Sequence, residues 1–126
     1  MEIKFETDLS GVLDLVHDRW FNLDQVRLDK TNGEVTFFLG EKRKGPFTDK
    51  ILKIDGVSDL KIKDDARIGI YDFCDLIPEY SSASVRITSG FPMEIVLKVK
   101  QRCVISVLKP EQDNGNEVKE MGRQNN

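Results

Sequence analysis

Apolar residues occupy every second position over most of this chain, and that period constrains the fold more than any other feature. In segments 35–39 and 93–99, apolar side chains alternate with mostly polar or charged neighbours. Because successive side chains of a β-strand point to opposite faces, this period predicts strands with one buried face. About eight such segments at intervals of about 8–12 residues lie between Val26 and Leu108, which is typical of an antiparallel sandwich or rolled sheet.

Glycine and asparagine indicate where these strands are connected. Thr31-Asn32-Gly33 lies between two alternating segments, and Asn-Gly accepts positive φ at low cost, so it predicts a β-hairpin. Asp55-Gly56 predicts a turn or a bulge between two short strands. The segment Tyr71 to Ile77 reads as a strand that ends before Pro78. The link Lys100 to Arg102 contains no glycine, so it fits either a hairpin or one bent strand.

One helix is predicted near the N-terminus. Its apolar residues are spaced by three and four positions, which is the spacing of one helix face: Leu9, Val12, Leu13, Val16 and Trp20. The prediction is a helix over about residues 9–20 that packs on the sheet. Phe21 follows out of phase with that face, so we expect it to be exposed.

The predicted fold class is therefore mainly β, or α+β by strict count: an antiparallel β-sandwich or rolled sheet with one N-terminal helix. A chain of 126 residues suits one domain, which we place at residues 1–109. Residues 110–126 contain only Val118 and Met121 as apolar positions. Such a segment buries too little surface to offset its ordering entropy, so it is predicted to be a disordered polar tail.

Composition argues against several classes of partner. The net charge is −3, and one short basic cluster is present, so nucleic acid is not an expected partner. No apolar run approaches the about 20 residues that span a bilayer, and no signal peptide is apparent, which predicts a cytoplasmic protein without membrane contact. Cys74 and Cys103 are too few for a disulfide framework and are predicted to be free thiols.

The sequence shows no catalytic or metal-binding constellation. His17 is the single histidine, and general acid–base catalysis needs a partner group within reach. The acids around Cys74 disfavour its thiolate, and the spacing from Asp55 to Asp59 does not fit a calcium loop. We therefore predict no catalytic residue, no metal and no cofactor.

A basic loop is the strongest candidate for a functional site. Lys42, Arg43 and Lys44 lie between Gly40 and Pro46, where a solvent-facing loop is expected. Together with an exposed Phe21, these residues predict a contact surface for another protein. The leading hypothesis is a non-catalytic protein-binding module.

Two other functions stay open at this point. A small-ligand-binding β domain would use the concave face of its sheet, with walls formed by aromatic side chains: Phe37, Phe38, Tyr71 and Phe73. An enzyme would require His17 to share a pocket with a Cys, Asp or Ser. A homo-oligomer is also possible, through an edge strand at Met93 to Lys100, although its lysines oppose such pairing.

Three segments resemble a known family. They begin at Trp20, Leu52 and Cys103 and read WFNLDQVRL, LKIDGVSDLKI and CVISVLKP. This layout is similar to small β-rich immunity proteins of bacterial polymorphic toxin systems, the predicted immunity family numbered fifty, over residues 20–110. The resemblance implies a toxin-neutralising role by protein binding, without catalysis.

Overall fold

The computed structural model describes residues 4–5 and 9–110, and it confirms the predicted mainly β class with one helix. The elements in chain order are β1 (Lys4–Phe5), α1 (Leu9–Val16), β2 (Trp20–Asn22), β3 (Leu28–Asp29), β4 (Glu34–Leu39), β5 (Lys50–Asp64), β6 (Ile70–Asp72), β7 (Asp75–Glu79), β8 (Ser84–Thr88) and β9 (Met93–Leu108). The predicted tail falls, beyond Pro110, outside the described residues.

The strands form one large sheet and one small one. The large sheet has the order β3-β4-β5-β9-β8-β7, and β1 adds to β9 as a parallel strand. The other described strand pairs are antiparallel, and β2 pairs with β6 in the small sheet. The predicted hairpin around Asn32 is confirmed, since Leu28 pairs with Val35 and Asp29 with Glu34. In the described chain the large sheet is open, with β3 and β7 at its ends.

The two longest strands, β5 and β9, pair in the middle of the large sheet. The segments before and after Gly56 join into β5, so Gly56 lies within one strand rather than between two. The pairing of β5 with β9 shifts register between Asp55 and Val57 and again between Val57 and Asp59, so the ladder has an irregularity of the β-bulge kind around Gly56, which corresponds to the second of the two predicted outcomes. The link Lys100 to Arg102 is likewise continuous within β9, so the bent-strand alternative is the correct one.

An aromatic cluster forms the centre of the core. Phe21 contacts Phe37 edge-on, with ring centroids 5.2 Å apart, and Phe73 at 6.2 Å. Phe37 and Phe73 close the triangle at 5.8 Å. Tyr71 extends the cluster, at 6.4 Å from Phe21. The alternating aliphatic residues of the large sheet and the α1 residues Val12 and Val16 pack around these rings.

The helix is shorter than predicted, and this changes the role of the residues that follow. It ends at Val16, where Asp18 turns the chain with φ 65° and donates its backbone N–H to the Phe73 carbonyl. Trp20 therefore belongs to β2 and not to the helix face. Strand alternation then buries Phe21 completely, so the prediction of an exposed Phe21 is wrong.

Two strand predictions also need correction. The segment Tyr71 to Ile77 is divided between β6 and β7, which belong to different sheets. Pro78 does not end a strand but lies within β7. Since β7 is the last strand of the sheet, one side of it needs no donor at that position, which is where proline is tolerated.

The proposed oligomer edge is not an edge. Residues 93–99 of β9 pair with β5 on one side, and residues 94–98 pair with β8 on the other. Met93 to Lys100 is therefore an interior segment, and pairing with a second copy through it is excluded by its existing neighbours. The alternation within a strand shows which face is buried, but strand order depends on contacts distant in sequence.

Candidate functional site

A guanidinium group lies against two aromatic rings at the surface. The Arg43 guanidinium carbon is 5.8 Å from the centre of the Trp20 ring and 5.5 Å from the centre of the Phe91 ring. The two rings are 6.4 Å apart and tilted by 47°. Arg43 is exposed and both rings are half-buried. These three residues form what we call the Arg43 patch.

Three different elements bring the patch together. Trp20 begins β2, and its backbone exchanges two hydrogen bonds with Gly40, at 2.8 and 2.9 Å. That bridge holds the start of the basic loop beside Trp20. A Cβ at Gly40 would lie 2.4 Å from the Pro46 carbonyl oxygen, so only glycine permits the chain to approach itself here. The loop closes where Asp49 donates its N–H to the Leu39 carbonyl.

Phe91 is positioned from the opposite side by Asp72. The Ser89 hydroxyl donates to the Asp72 carboxylate at 2.5 Å, and the Gly90 N–H donates to the same oxygen at 3.0 Å. The Phe91 N–H then donates to the Ser89 hydroxyl oxygen. Because Trp20 pairs with Asp72 across β2 and β6, this network fixes Phe91 relative to Trp20.

The charges around the patch differ in whether they are neutralised. Asp49 accepts from Arg19 Nε at 2.8 Å and from Lys50 Nζ at 3.1 Å. Burial acts to raise the pKa of Asp49, but these two hydrogen bonds and the cations behind them outweigh it and hold that pKa below its usual value. Lys42, Arg43 and Lys44 are exposed, and among the described residues none has a carboxylate within 4.0 Å. The loop therefore presents net positive charge.

The structure keeps three of the four predicted contact residues together. Lys42, Arg43 and Lys44 share one exposed loop, whereas Phe21 is in the core. Sequence reasoning missed Trp20 and Phe91 as surface residues. The position of Trp20 next to Phe21 is the signal that could have found Trp20. Neighbouring residues of a strand point to opposite faces, so burial of Phe21 turns Trp20 toward the surface. No local signal connects Phe91 with a loop that is almost 50 residues earlier.

The aromatic residues that would form ligand walls have other positions. Phe37, Tyr71 and Phe73 are fully buried, and their rings contact one another. Phe38 is 39 % exposed and points away from them on β4. Tyr71 donates its hydroxyl hydrogen to Asp64, and burial together with that carboxylate raises the pKa of Tyr71. These residues therefore fill the interior instead of lining an opening to solvent.

The single histidine lies at the surface. The side chain of His17 is 48 % exposed, and its Nδ1 is 3.3 Å from the carboxylate of the adjacent Asp18. Cys103 is buried in β9, and Cys74 is half-buried after β6. Within the part of the chain that the structure describes, no three His, Cys, Asp or Glu side chains are grouped so that they could hold a metal ion.

The Cys103 thiol is expected to resist alkylation in the folded protein. Burial, with a smaller contribution from the charge of Asp55, raises the pKa of Cys103 from 9.0 to about 11. At pH 8 the thiol is therefore protonated and shielded, and iodoacetamide should modify it only after denaturation. Peptide mapping of labelled protein with and without urea measures this. Equal labelling of Cys103 in both conditions would contradict it.

The same raised pKa gives an expected dependence of stability on pH. The folded state disfavours the thiolate, so this contribution to stability is complete below pH 9 and is lost as the pH rises toward about 11.

Comparison with known proteins gives no relative for this chain. No family model matches it, and neither the search of curated proteins nor the search of solved structures found a match. Among the described residues, the helix is neither long nor apolar enough to cross a membrane.

Proposed function

We propose that this chain is a non-catalytic protein-binding module and that the Arg43 patch, with Lys42 and Lys44 beside it, is its contact surface. The observation that carries this proposal is the exposed Arg43 guanidinium, which lies over both the Trp20 ring and the Phe91 ring. Tryptophan and arginine are the residues most enriched at positions that dominate binding energy in protein interfaces.

The stacking prepares the arginine for binding. A guanidinium over an aromatic face gains about 0.5–1 kcal/mol at an exposed site, which restricts the side chain before any partner arrives. Less conformational entropy is then lost on association. The fork of N–H donors stays available to a carboxylate, so the patch favours an acidic surface on the partner.

A toxin domain is the partner class that we propose. The resemblance of residues 20–110 to bacterial immunity proteins supports it, and so does the basic loop, which would complement an acidic surface on such a domain. A gene for a secreted toxin adjacent to the gene for this chain would add support.

Reversal of the Arg43 charge is expected to abolish capture of the natural partner. The immobilised wild-type chain and Arg43→Glu are compared on the same native extract, and the partner is identified by mass spectrometry. The isolated partner should then bind Arg43→Glu about 30-fold more weakly, the effect of losing about 2 kcal/mol at a dominant position.

Arg27→Glu is the matched control. Arg27 is exposed and lies outside the patch, so this variant carries the same change in charge and should retain the partner. If both variants lose binding equally, general electrostatics explains the result. If neither loses it, the Arg43 patch is not the contact surface.

A further inference from the structure

The second half of β5 has a neighbour on one side only. β4 pairs with β5 from Lys50 to Asp55 and goes no further. Beyond the bulge, β5 pairs with β9 from Val57 to Asp64. In the described chain, no other strand runs along residues 58–64. We call these seven residues the open edge; at about 3.3 Å per residue they span about 23 Å.

The β3–β4 turn defines where the open edge begins. The Gly33 carbonyl accepts hydrogen bonds from the N–H groups of Gly56 and Val57, both at 2.9 Å. These contacts mark where the pairing between β4 and β5 stops. From Ser58 onward, the side of β5 that faced β4 has no partner strand among the described residues. The other free strand of comparable length, β7, has five residues and contains Pro78, which cannot donate to an added strand.

The open edge presents two rows of side chains, one with Leu60 and Ile62 at its centre and one with Lys61 and Lys63. Leu60 packs partly against the core, and its neighbour on the same face, Ile62, is 40 % exposed. On the other face Asp59, Lys61 and Lys63 are exposed, and no carboxylate among the described residues lies within 4.0 Å of either lysine ammonium group, so this row has a net positive charge at Lys61 and Lys63. An added strand would therefore gain from apolar residues on one face and acidic residues on the other.

A second copy of the chain is the competing occupant of this edge. Symmetric antiparallel pairing over residues 58–64 places Lys61 of one copy opposite Lys61 of the other, but it also places Asp59 opposite Lys63 and Leu60 opposite Ile62, each twice. If the register between the two copies shifts in one direction, Lys61 of one copy lies opposite Lys63 of the other, which again pairs like charges. A shift in the other direction brings Lys63 against the Gly33 turn, which already occupies the edge at Val57. Like charges directly opposite each other destabilise strand pairing and opposite charges stabilise it, so the central Lys61 pair opposes self-association whereas the two Asp59–Lys63 pairs favour it.

We propose that the open edge binds an extended segment of the partner protein, in which acidic residues alternate with apolar ones, as an added β-strand. This proposal rests on the protein-binding function above and names the chemistry of the bound segment. Main-chain hydrogen bonds supply affinity in this binding mode, and the alternating side chains supply specificity.

The open edge leads to the Arg43 patch. Asp64 pairs with Met93, and the N–H groups of Asp65 and Ala66 donate to the Pro92 carbonyl, next to Phe91. Lys63 and Phe91 also line one shallow depression of the surface. A strand added along β5 would therefore end near the patch, so one partner can contact both.

The test uses a fluorescent, acetylated and amidated heptapeptide of alternating glutamate and valine. Fluorescence anisotropy at low salt measures its binding to the full chain, and amide hydrogen exchange reports where it binds. We expect slowed exchange within residues 58–64 and no change in residues 75–79 of β7. A peptide of alternating lysine and valine should not bind.

Two controls separate strand addition from simple charge attraction. The first is the glutamate–valine peptide with every backbone amide N-methylated, which keeps the charge but has no N–H on either edge to donate to the ladder. It should bind about tenfold more weakly or worse, because each hydrogen bond contributes up to about a factor of ten. The second is Lys61→Glu/Lys63→Glu, which should lose the acidic peptide and gain the basic one, whereas Arg27→Glu/Lys109→Glu should bind as the wild type does.

The outcomes distinguish this proposal from the proposed function. Equal binding of the N-methylated peptide, protection outside residues 58–64, or no binding of either peptide would overturn strand addition. Protection of this segment without peptide, in a chain that sediments as a dimer, would also overturn it, since a second copy would then be the occupant. Capture of a partner that depends on Arg43 but not on Lys61 would leave the protein-binding function in place.

Discussion

Replacing Gly56 by alanine is expected to destabilise the fold by about 3–5 kcal/mol, through backbone strain and a steric clash together. Gly56 has φ +87°, a conformation that L-residues rarely adopt. A Cβ at this position would lie 2.3 Å from the Arg102 carbonyl oxygen and 3.2 Å from the Cys103 Cα. Both contacts are with the backbone of β9, which cannot move without breaking the ladder. Urea unfolding followed by circular dichroism measures the loss.

Gly69→Ala is the matched control for this prediction. Gly69 has φ +83°, so it shares the unfavourable conformation, but a Cβ there would meet no atom within 4 Å. Gly69→Ala should therefore lower the free energy of unfolding only by the strain of an L-residue at positive φ, about 1 kcal/mol. The difference between the two variants isolates the close approach at the bulge. Equal losses would show that β9 yields to the extra methyl group.

Phe21→Ala is expected to lower the free energy of unfolding by about 3–5 kcal/mol, the usual range for removing a buried aromatic ring. Phe21 is fully buried and touches the rings of Phe37, Tyr71 and Phe73, so its removal leaves a cavity at the centre of the core. The surrounding rings belong to β4, β6 and the connection between β6 and β7, and they cannot all move inward together. A lower urea midpoint with an unchanged slope is the expected observation.

Phe38→Ala provides the comparison within the same residue type. Phe38 is 39 % exposed on β4, and its truncation should cost about 1 kcal/mol or less. The ratio of the two losses tests the assignment of faces in β2 and β4. A loss for Phe21→Ala as small as that for Phe38→Ala would mean that Phe21 lies at the surface after all.

Local patterns predicted the strands well because burial on one face acts residue by residue. The alternation in 35–39 marks β4 with Phe37 inside and Phe38 outside, as observed. The Asn32-Gly33 turn has the expected geometry, since Gly33 has φ +66°. The bulge at Gly56 was also accessible, because glycine within a strand indicates close approach of another backbone.

The errors have two physical causes. The apolar spacing continues to Trp20 and so predicts a longer helix, but Asp18 adopts a left-handed conformation and β2 begins at Trp20. This change of period reverses the sides to which Trp20 and Phe21 point. The prediction of an edge at Met93 to Lys100 is wrong because strand order is set by contacts distant in sequence, which the local pattern does not contain.

The candidate site was half accessible to sequence reasoning. The basic loop from Lys42 to Lys44 is a local feature and was found. Its aromatic supports, Trp20 and Phe91, are distant in sequence and become neighbours only through the Gly40 bridge and the Asp72 network. A pattern within one segment does not report such contacts.

The position of β9 has a consequence for synthesis on the ribosome. β9 is the last described strand to be made, yet β5 and β8 both depend on it for their pairing. The β4–β5 and β7–β8 hairpins can close while translation continues, but each then waits with an unsatisfied side. Such edges invite pairing with neighbouring nascent chains. Chaperone protection in the interval before Met93 emerges would therefore matter more for this topology than for one in which the central strand is made first.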